Sequence, residues 1–372
     1  LSYSINDVKD KLISLDDVRE TLSYTEPLVV HDFDADSISF RLEDDYNHGL
    51  KALDSNDTVN AYISVGGREL QLTKAGLYDA LKQTKVSKGF LDKAPAHLAG
   101  ELLNTYYREG LTSDRELKGL GIRGDKVAAI ARAAVHPYSN LRFLDLMLDA
   151  IEQKYGKGEV FADYKFTHNL QQTHLRLIVP EYVRVIENTG TDNDTWSTGL
   201  QLINSLTGAE QTEINGYLFR YWCTNGAIDT RTNANSTWSR RGAAGRDDEA
   251  VFEWARDAVD EVLGGLEESL DAVQAMTSVS IEGHTRETLN DVFREYGIPS
   301  GQRSQIISGM LDDRELTMYS LMQAVTQLAN GPDLSPVDVD RLMRIGGELP
   351  AAAEQGVCSQ DNPCGRLLAH AH

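Results

Sequence analysis

The chain has 372 residues, 41% of them hydrophobic and 25% charged, which is enough for a large core in two domains or in one domain with a substantial appendage. A formal net charge of −21 disfavours the chain as a whole as a nonspecific duplex binder, since phosphate contacts need lysine and arginine, but it leaves room for a local basic groove. No run approaches the roughly eighteen apolar residues that cross a bilayer, and residues 1–20 lack the hydrophobic centre of a signal peptide.

The apolar pattern predicts a short helix over residues 4–21, then Leu28-Val29-Val30, then a half-buried strand in the alternation from Ser37 to Leu42. Residues 54–57 read as a loop. Tyr62-Ile63-Ser64-Val65, Gly66-Gly67 and Glu69-Leu70-Gln71-Leu72 read as a hairpin. Thr73 caps a helix carrying Leu77, Ala80 and Leu81, and Pro95 opens another with Leu98, Leu102, Leu103 and Tyr106 on one face. Residues 119–124 read as a break, 126–131 as a buried strand, 136–140 as a turn and cap, and 141–154 as an amphipathic helix. Further strands are expected at 174–179, ended by Pro180, at 200–206 and at 214–223, with a polar loop over 188–198 and a turn at Gly208. A loop then runs to Arg246.

From Asp247 onward the pattern is helical. Asp247-Asp248-Glu249 places negative charge at a helix start, followed by Val251, Trp254, Ala258, Val262 and Leu266 at helical spacing. Shorter helices are predicted at 286–296, 301–311 and 318–328, and a last one from Ser335-Pro336. The expected fold class is α+β: a mixed α/β body with mainly antiparallel strands, then an all-helical C-terminal region. The corresponding divisions are 1–60, 61–246, 247–350 and a tail over 351–372.

Residues 217–246 carry the most informative composition. Arg220, Arg231, Arg240, Arg241 and Arg246 stand there against one acid, Asp229, with Tyr217, Phe219, Tyr221, Trp222 and Trp238 interleaved. Guanidinium groups neutralise phosphates while aromatic faces stack bases, so this mixture suits single-stranded nucleic acid. The competing reading is a core strand with buried aromatics, followed by a loop whose arginines pair with surplus carboxylates. Lysine stops at Lys165 and only arginine follows, which fits either two functional surfaces or a drift in composition.

Three cysteines are too few and too unevenly spaced for a disulfide framework. Cys223 reads as a small buried hydrophobe rather than a nucleophile, since no histidine lies near it in sequence. Cys358, Cys364, His370 and His372 are zinc-ligand types, but their spacing matches no common zinc pattern, so no metal, no cofactor and no stability loss on truncation after Gly347 are expected. The acids at 32, 34, 36, 44 and 45 read as solvated surface. A chain that starts at Leu1 is read as trimmed, proteolysed or begun at a non-standard start codon, and proteolysis would suit a virion protein.

The blocks just described resemble the phage/plasmid-like family catalogued as domain of unknown function 932. The resemblance runs through Leu72-Thr73 and its helix, residues 90–99, Leu102-Leu103-Asn104 and the strand-turn-helix over 127–151 with Tyr138-Ser139-Asn140. It continues through 175–180, the 200–208 strand with Asn204-Ser205, and Leu218-Phe219-Arg220 leading to Cys223-Thr224-Asn225-Gly226, so that it covers about residues 60–245. After Asn-Gly the family shows a basic stretch with a histidine, where this chain has Arg240-Arg241 without one. The resemblance implies the setting of phages, plasmids and integrative elements, whose neighbouring genes serve DNA replication and recombination.

The leading expectation is a non-catalytic mobile-element protein that binds single-stranded DNA as a homo-oligomer in the host cytoplasm, with no membrane partner. Arg220, Arg231, Arg240 and Arg241 would meet phosphates, and Trp222 or Trp238 would stack on bases. A virion structural protein is the alternative, and a metal-dependent nuclease or other enzyme is the third reading.

Overall fold

The computed structural model describes residues 8, 11–26, 29–46, 57–84, 86–87, 89, 93–112, 116–122, 126–132, 136–169, 172–206, 210–221, 224–229, 237–238, 248–281, 286–311, 316–331 and 334–355. Two antiparallel-rich sheets and a helical C-terminal region make up an α+β fold.

The first described strand belongs to the larger sheet. Strand β1 (Leu12–Ile13) pairs with a strand 150 residues later, and helix α1 (Leu15–Ser23) follows at once. Its start lies well inside the predicted 4–21 helix, because Ser14 is the cap: its hydroxyl accepts from the Asp17 amide. Val18 and Leu22 are fully buried and belong to the core under the later strands.

Residues 29–132 then build a separate six-stranded sheet. Its strands are β2 (Val29–Asp34), β3 (Ser39–Leu42), β4 (Thr58–Val65), β5 (Arg68–Thr73), β6 (Glu116–Ile122) and β7 (Lys126–Arg132), in the order β2-β6-β7-β5-β4-β3. Every described pair in both sheets is antiparallel except β5 with β7. Helices α2 (Lys74–Thr84) and α3 (Ala96–Arg108) cover it, and Phe40, Ile63, Leu72, Leu77, Leu103 and Tyr107 share its core. The Gly66-Gly67 hairpin and the Thr73 cap, whose hydroxyl accepts from the Gly76 amide, form as expected.

Two local readings change. Helix α3 buries Ala99, Gly100, Leu103 and Tyr107, and leaves Leu98 outside at 45% exposure. The predicted break at 119–124 is strand β6 up to Ile122. There Gly119 reflects close packing, since a Cβ would come within 3.0 Å of the Phe33 ring. The hydrophobic cores form three clusters, one within residues 33–130 and two built from residues 8–22 and 138–349.

The larger sheet resumes after helix α4 (Asn140–Tyr155), which Ser139 caps. It contains β8 (Phe161–Asp163), β9 (Thr167–His168), β10 (Thr173–Ile186), β11 (Asp194–Asn204), β12 (Thr212–Arg220), β13 (Asn225–Asp229) and β14 (Thr237–Trp238). Strand β10 does not stop at Pro180; it runs past it through an irregularity between Val179 and Val183, where a proline's missing N–H is tolerated. The polar loop is shorter than predicted, because β11 already starts at Asp194. All eleven residues of β11 are buried.

Helices α5 (Asp248–Met276), α6 (Arg286–Glu295), α7 (Ser300–Leu311), α8 (Met318–Leu328) and α9 (Pro336–Gln355) complete the chain. Helices α4 and α5 share one core with Leu175, Leu177, Leu200, Leu202 and Ile214, while α8 and α9 share another with Trp196, Tyr217, Phe219 and Ile228. No helix among the described residues is long and apolar enough to cross a membrane.

Helix α9 packs so closely on β13 that a Cβ at Gly347 would overlap the Ile228 carbonyl, and Leu349 beyond it is fully buried. The expectation that truncation after Gly347 costs nothing is therefore corrected. A chain ended after Gly347 is expected to be at least about 2 kcal/mol less stable in urea than one ended after Gln355, from the loss of Leu349 burial alone. Equal midpoints would show that the last two turns of α9 add nothing.

Candidate functional site

Arg220, the first residue expected on nucleic acid, is 7% exposed and committed elsewhere. Its Nε and Nη2 donate to Asp194 Oδ1 and Oδ2 at 2.7 and 2.6 Å, and its Nη1 donates to Gln323 Oε1 at 2.6 Å. This is a buried fork-to-fork ion pair, which removes Arg220 from phosphate contact. Tyr217, Phe219 and Tyr221, interleaved with it, are fully buried core residues. Trp222, Cys223, Arg231, Arg240 and Arg241 lie outside the described residues, as do Cys358, Cys364, His370 and His372. Trp238 is placed by its backbone: β14 pairs with the edge of β12, Trp238 opposite Thr212 and Thr237 opposite Glu213.

Asn225-Gly226 is not a turn but the start of strand β13; the turn falls before it, where Thr224 takes φ 54°. Gly226 is required because a Cβ there would overlap the Tyr217 ring. Asn225 Nδ2 donates to Gln323 Oε1 at 3.3 Å, and its Oδ1 accepts from Asn330. The Tyr164 hydroxyl donates to Asn330 Oδ1 at 3.3 Å. A hydrogen-bonded chain thus connects the Asp194–Arg220 pair to the surface at Tyr164.

A second polar centre was not singled out by the sequence. His174 and Arg176 alternate along β10 with Leu175 and Leu177, so they share one face of the sheet. Arg176, Gln201 and Asn215 stand side by side across β10, β11 and β12. Asp340, from the second turn of α9, is set against this row. Its Oδ1 accepts from Gln201 Nε2 at 2.7 Å and from Arg176 Nη2 at 3.3 Å, and its Oδ2 accepts from Arg344 Nε at 2.8 Å. Arg344 also donates to Glu213 at 2.6 Å. His174 lies between two carboxylates, with Nδ1 at 3.6 Å from Asp340 and Nε2 at 3.1 Å from Glu210.

Burial alone would lower the His174 pKa, but the two carboxylates outweigh it and raise it above the ordinary imidazole value. Burial would likewise raise the Asp340 carboxyl, yet His174, Arg344 and Arg176 hold it well below the usual carboxylate range. The centre is thus an ion network that clamps α9 to the sheet.

Cavities open on both sides of His174. One, of about 270 Å³, is lined by Glu210, Glu213, Asp340 and Arg344. The other, of about 200 Å³, is lined by Tyr164, Lys165, Thr167, Arg176 and Asn330 with an apolar wall. Among the described residues no group of three or more histidine, cysteine or acidic side chains is placed to hold a metal ion. The sequence signal for this centre was the His-Leu-Arg-Leu alternation, which puts two cationic groups on one buried face and so demands a distant acid. No family model, curated protein or solved structure matches this chain.

Proposed function

We propose that this is a non-catalytic protein of a phage or other mobile element that binds single-stranded DNA as a homo-oligomer in the host cytoplasm, akin to the phage/plasmid-like family. The observation that carries the reading is the connection over residues 230–246. It holds Arg231, Arg240, Arg241 and Arg246 with Trp238 and no acid, in a chain of net charge −21. Its ends are held by β13 and α5, and β14 anchors it midway to the edge of β12. A basic connection tethered at three points can follow a phosphate backbone at a small cost in ordering entropy.

The test is fluorescence anisotropy with a labelled oligonucleotide over a salt series. Arg240→Ala with Arg241→Ala is expected to weaken binding and to lower the slope of log affinity against log salt by roughly 0.7 for each lost contact. Far-ultraviolet dichroism and melting temperature should stay as in the unmodified protein. Unchanged affinity and slope in the double variant would remove this connection from the reading.

A further inference from the structure

The cavity on the Tyr164 side of His174 plays no part in the reading above. Its described lining includes two fixed cations, Lys165 and Arg176, and no carboxylate, although acids outnumber bases 57 to 36 in the chain. Arg176 Nε and Thr167 Oγ1 there are buried with no hydrogen-bond partner among the described residues. Arg176 is only 1% exposed, and its Nη1 and Nη2 already donate to the Lys165 carbonyl and to Asp340. A buried guanidinium N–H with no acceptor is uncommon, since the desolvation is not recovered.

The groups converging on the space are donors: a guanidinium N–H, a hydroxyl and an ammonium. They come from β10, from β9 and from the turn before β9, and all three residues line the same cavity. An anion with three or four oxygens satisfies such a set better than the two oxygens of a carboxylate. The volume, about 200 Å³, is several times the roughly 30 Å³ that a water occupies, which leaves room for the group and a few atoms of its carrier. Tyr164, 41% exposed and bonded to Asn330, stands at the opening.

We propose that this cavity binds a phosphate group, with Arg176 Nε–H and the Thr167 hydroxyl donating to its oxygens and Lys165 balancing its charge. The source is either free phosphate or the terminal phosphate of a DNA strand; the second source rests on the single-stranded DNA reading.

Calorimetric titration of the full chain with inorganic phosphate tests it, against chloride and acetate at matched ionic strength. One phosphate per chain is expected to bind saturably and to raise the melting temperature. Thr167→Val removes a hydroxyl that has no hydrogen-bond partner among the described residues, so it should fold as well as the unmodified chain while binding phosphate about tenfold more weakly. Lys165→Gln should weaken binding by a similar factor. Heats no larger than those of chloride, acetate binding as tightly as phosphate, or unchanged affinity in both variants would each overturn the assignment.

Paired oligonucleotides with a 5′-phosphate or a 5′-hydroxyl identify the source. Tighter binding of the phosphorylated strand, erased by Thr167→Val, assigns the strand end. Equal binding of the two strands beside an intact phosphate titration assigns free phosphate. The Arg240→Ala, Arg241→Ala variant keeps the two ideas apart, because it should lose the oligonucleotide and keep the phosphate heat.

Discussion

Replacing Asp194 by alanine is expected to destabilise the protein by about 3–5 kcal/mol, the largest effect of any single polar substitution proposed for this chain. The Asp194 and Arg220 side chains are 0% and 8% exposed, and the carboxylate receives both arms of the guanidinium. It also accepts from the Tyr319 hydroxyl, which in turn accepts from Trp196 Nε1 at 3.2 Å. Without Asp194 the buried guanidinium would lose this carboxylate and be left with neutral groups such as Gln323 and Thr191. The cost comes from the stranded charge rather than from the worth of the pair. Asp194→Leu combined with Arg220→Met should therefore cost much less than the two single changes added together. Urea unfolding of the two single variants and the pair measures this directly. If Arg220→Ala leaves stability within about 0.5 kcal/mol of the unmodified protein and lowers the salt slope of DNA binding, Arg220 belongs to the interface after all.

The sequence made local features legible and distant ones illegible, for a physical reason. Caps and turns are decided within four residues, so Thr73, Ser139 and Gly66-Gly67 could be read, as could Ser335, whose hydroxyl accepts from the Asp338 amide. The helices near 286, 301 and 318 followed from apolar spacing, and the structure has them at Arg286–Glu295, Ser300–Leu311 and Met318–Leu328.

Glycine misled because its meaning depends on what lies across the sheet. Gly119 is in a strand to admit Phe33, 86 residues earlier, and Gly226 to admit the Tyr217 ring, whereas both looked like breaks or turns. Arg220 had the composition of a nucleic-acid contact, but its partner Asp194 sits in the preceding strand behind a polar loop. The alternation His174-Leu175-Arg176-Leu177 marked a strand, and two cations on a buried face should also have signalled a missing acid. Asp340 supplies it from 164 residues away, inside a helix whose own pattern gave no reason to single it out.

Acid is expected to unfold the protein in two stages, the first of them set by His168. The imidazole is partly covered, with Nε2 at 3.0 Å from Thr25 Oγ1 and Nδ1 at 2.8 Å from Thr173 Oγ1, and burial pushes its pKa down to about 4. Below the ordinary value of 6.5 the unfolded chain takes up a proton that the folded ring refuses, so stability falls as pH drops from 6.5 to about 4. The full gap corresponds to about 3 kcal/mol, and water reaching the ring reduces the expected loss to about 2 kcal/mol. His174 acts in the opposite direction: its raised pKa favours the folded state below 6.5, and that contribution is lost as pH rises through the folded value. Asp340, held low, stabilises the fold above its ordinary 3.8 and gives way only below it, which makes the second stage. Urea unfolding at about pH 2.5, 4, 6.5 and 8.5 separates the three. His168→Gln should flatten the decline between 6.5 and 4 and leave the alkaline side unchanged, while His174→Gln should flatten the alkaline side. An unaltered decline in His168→Gln would place the acid sensitivity in another group.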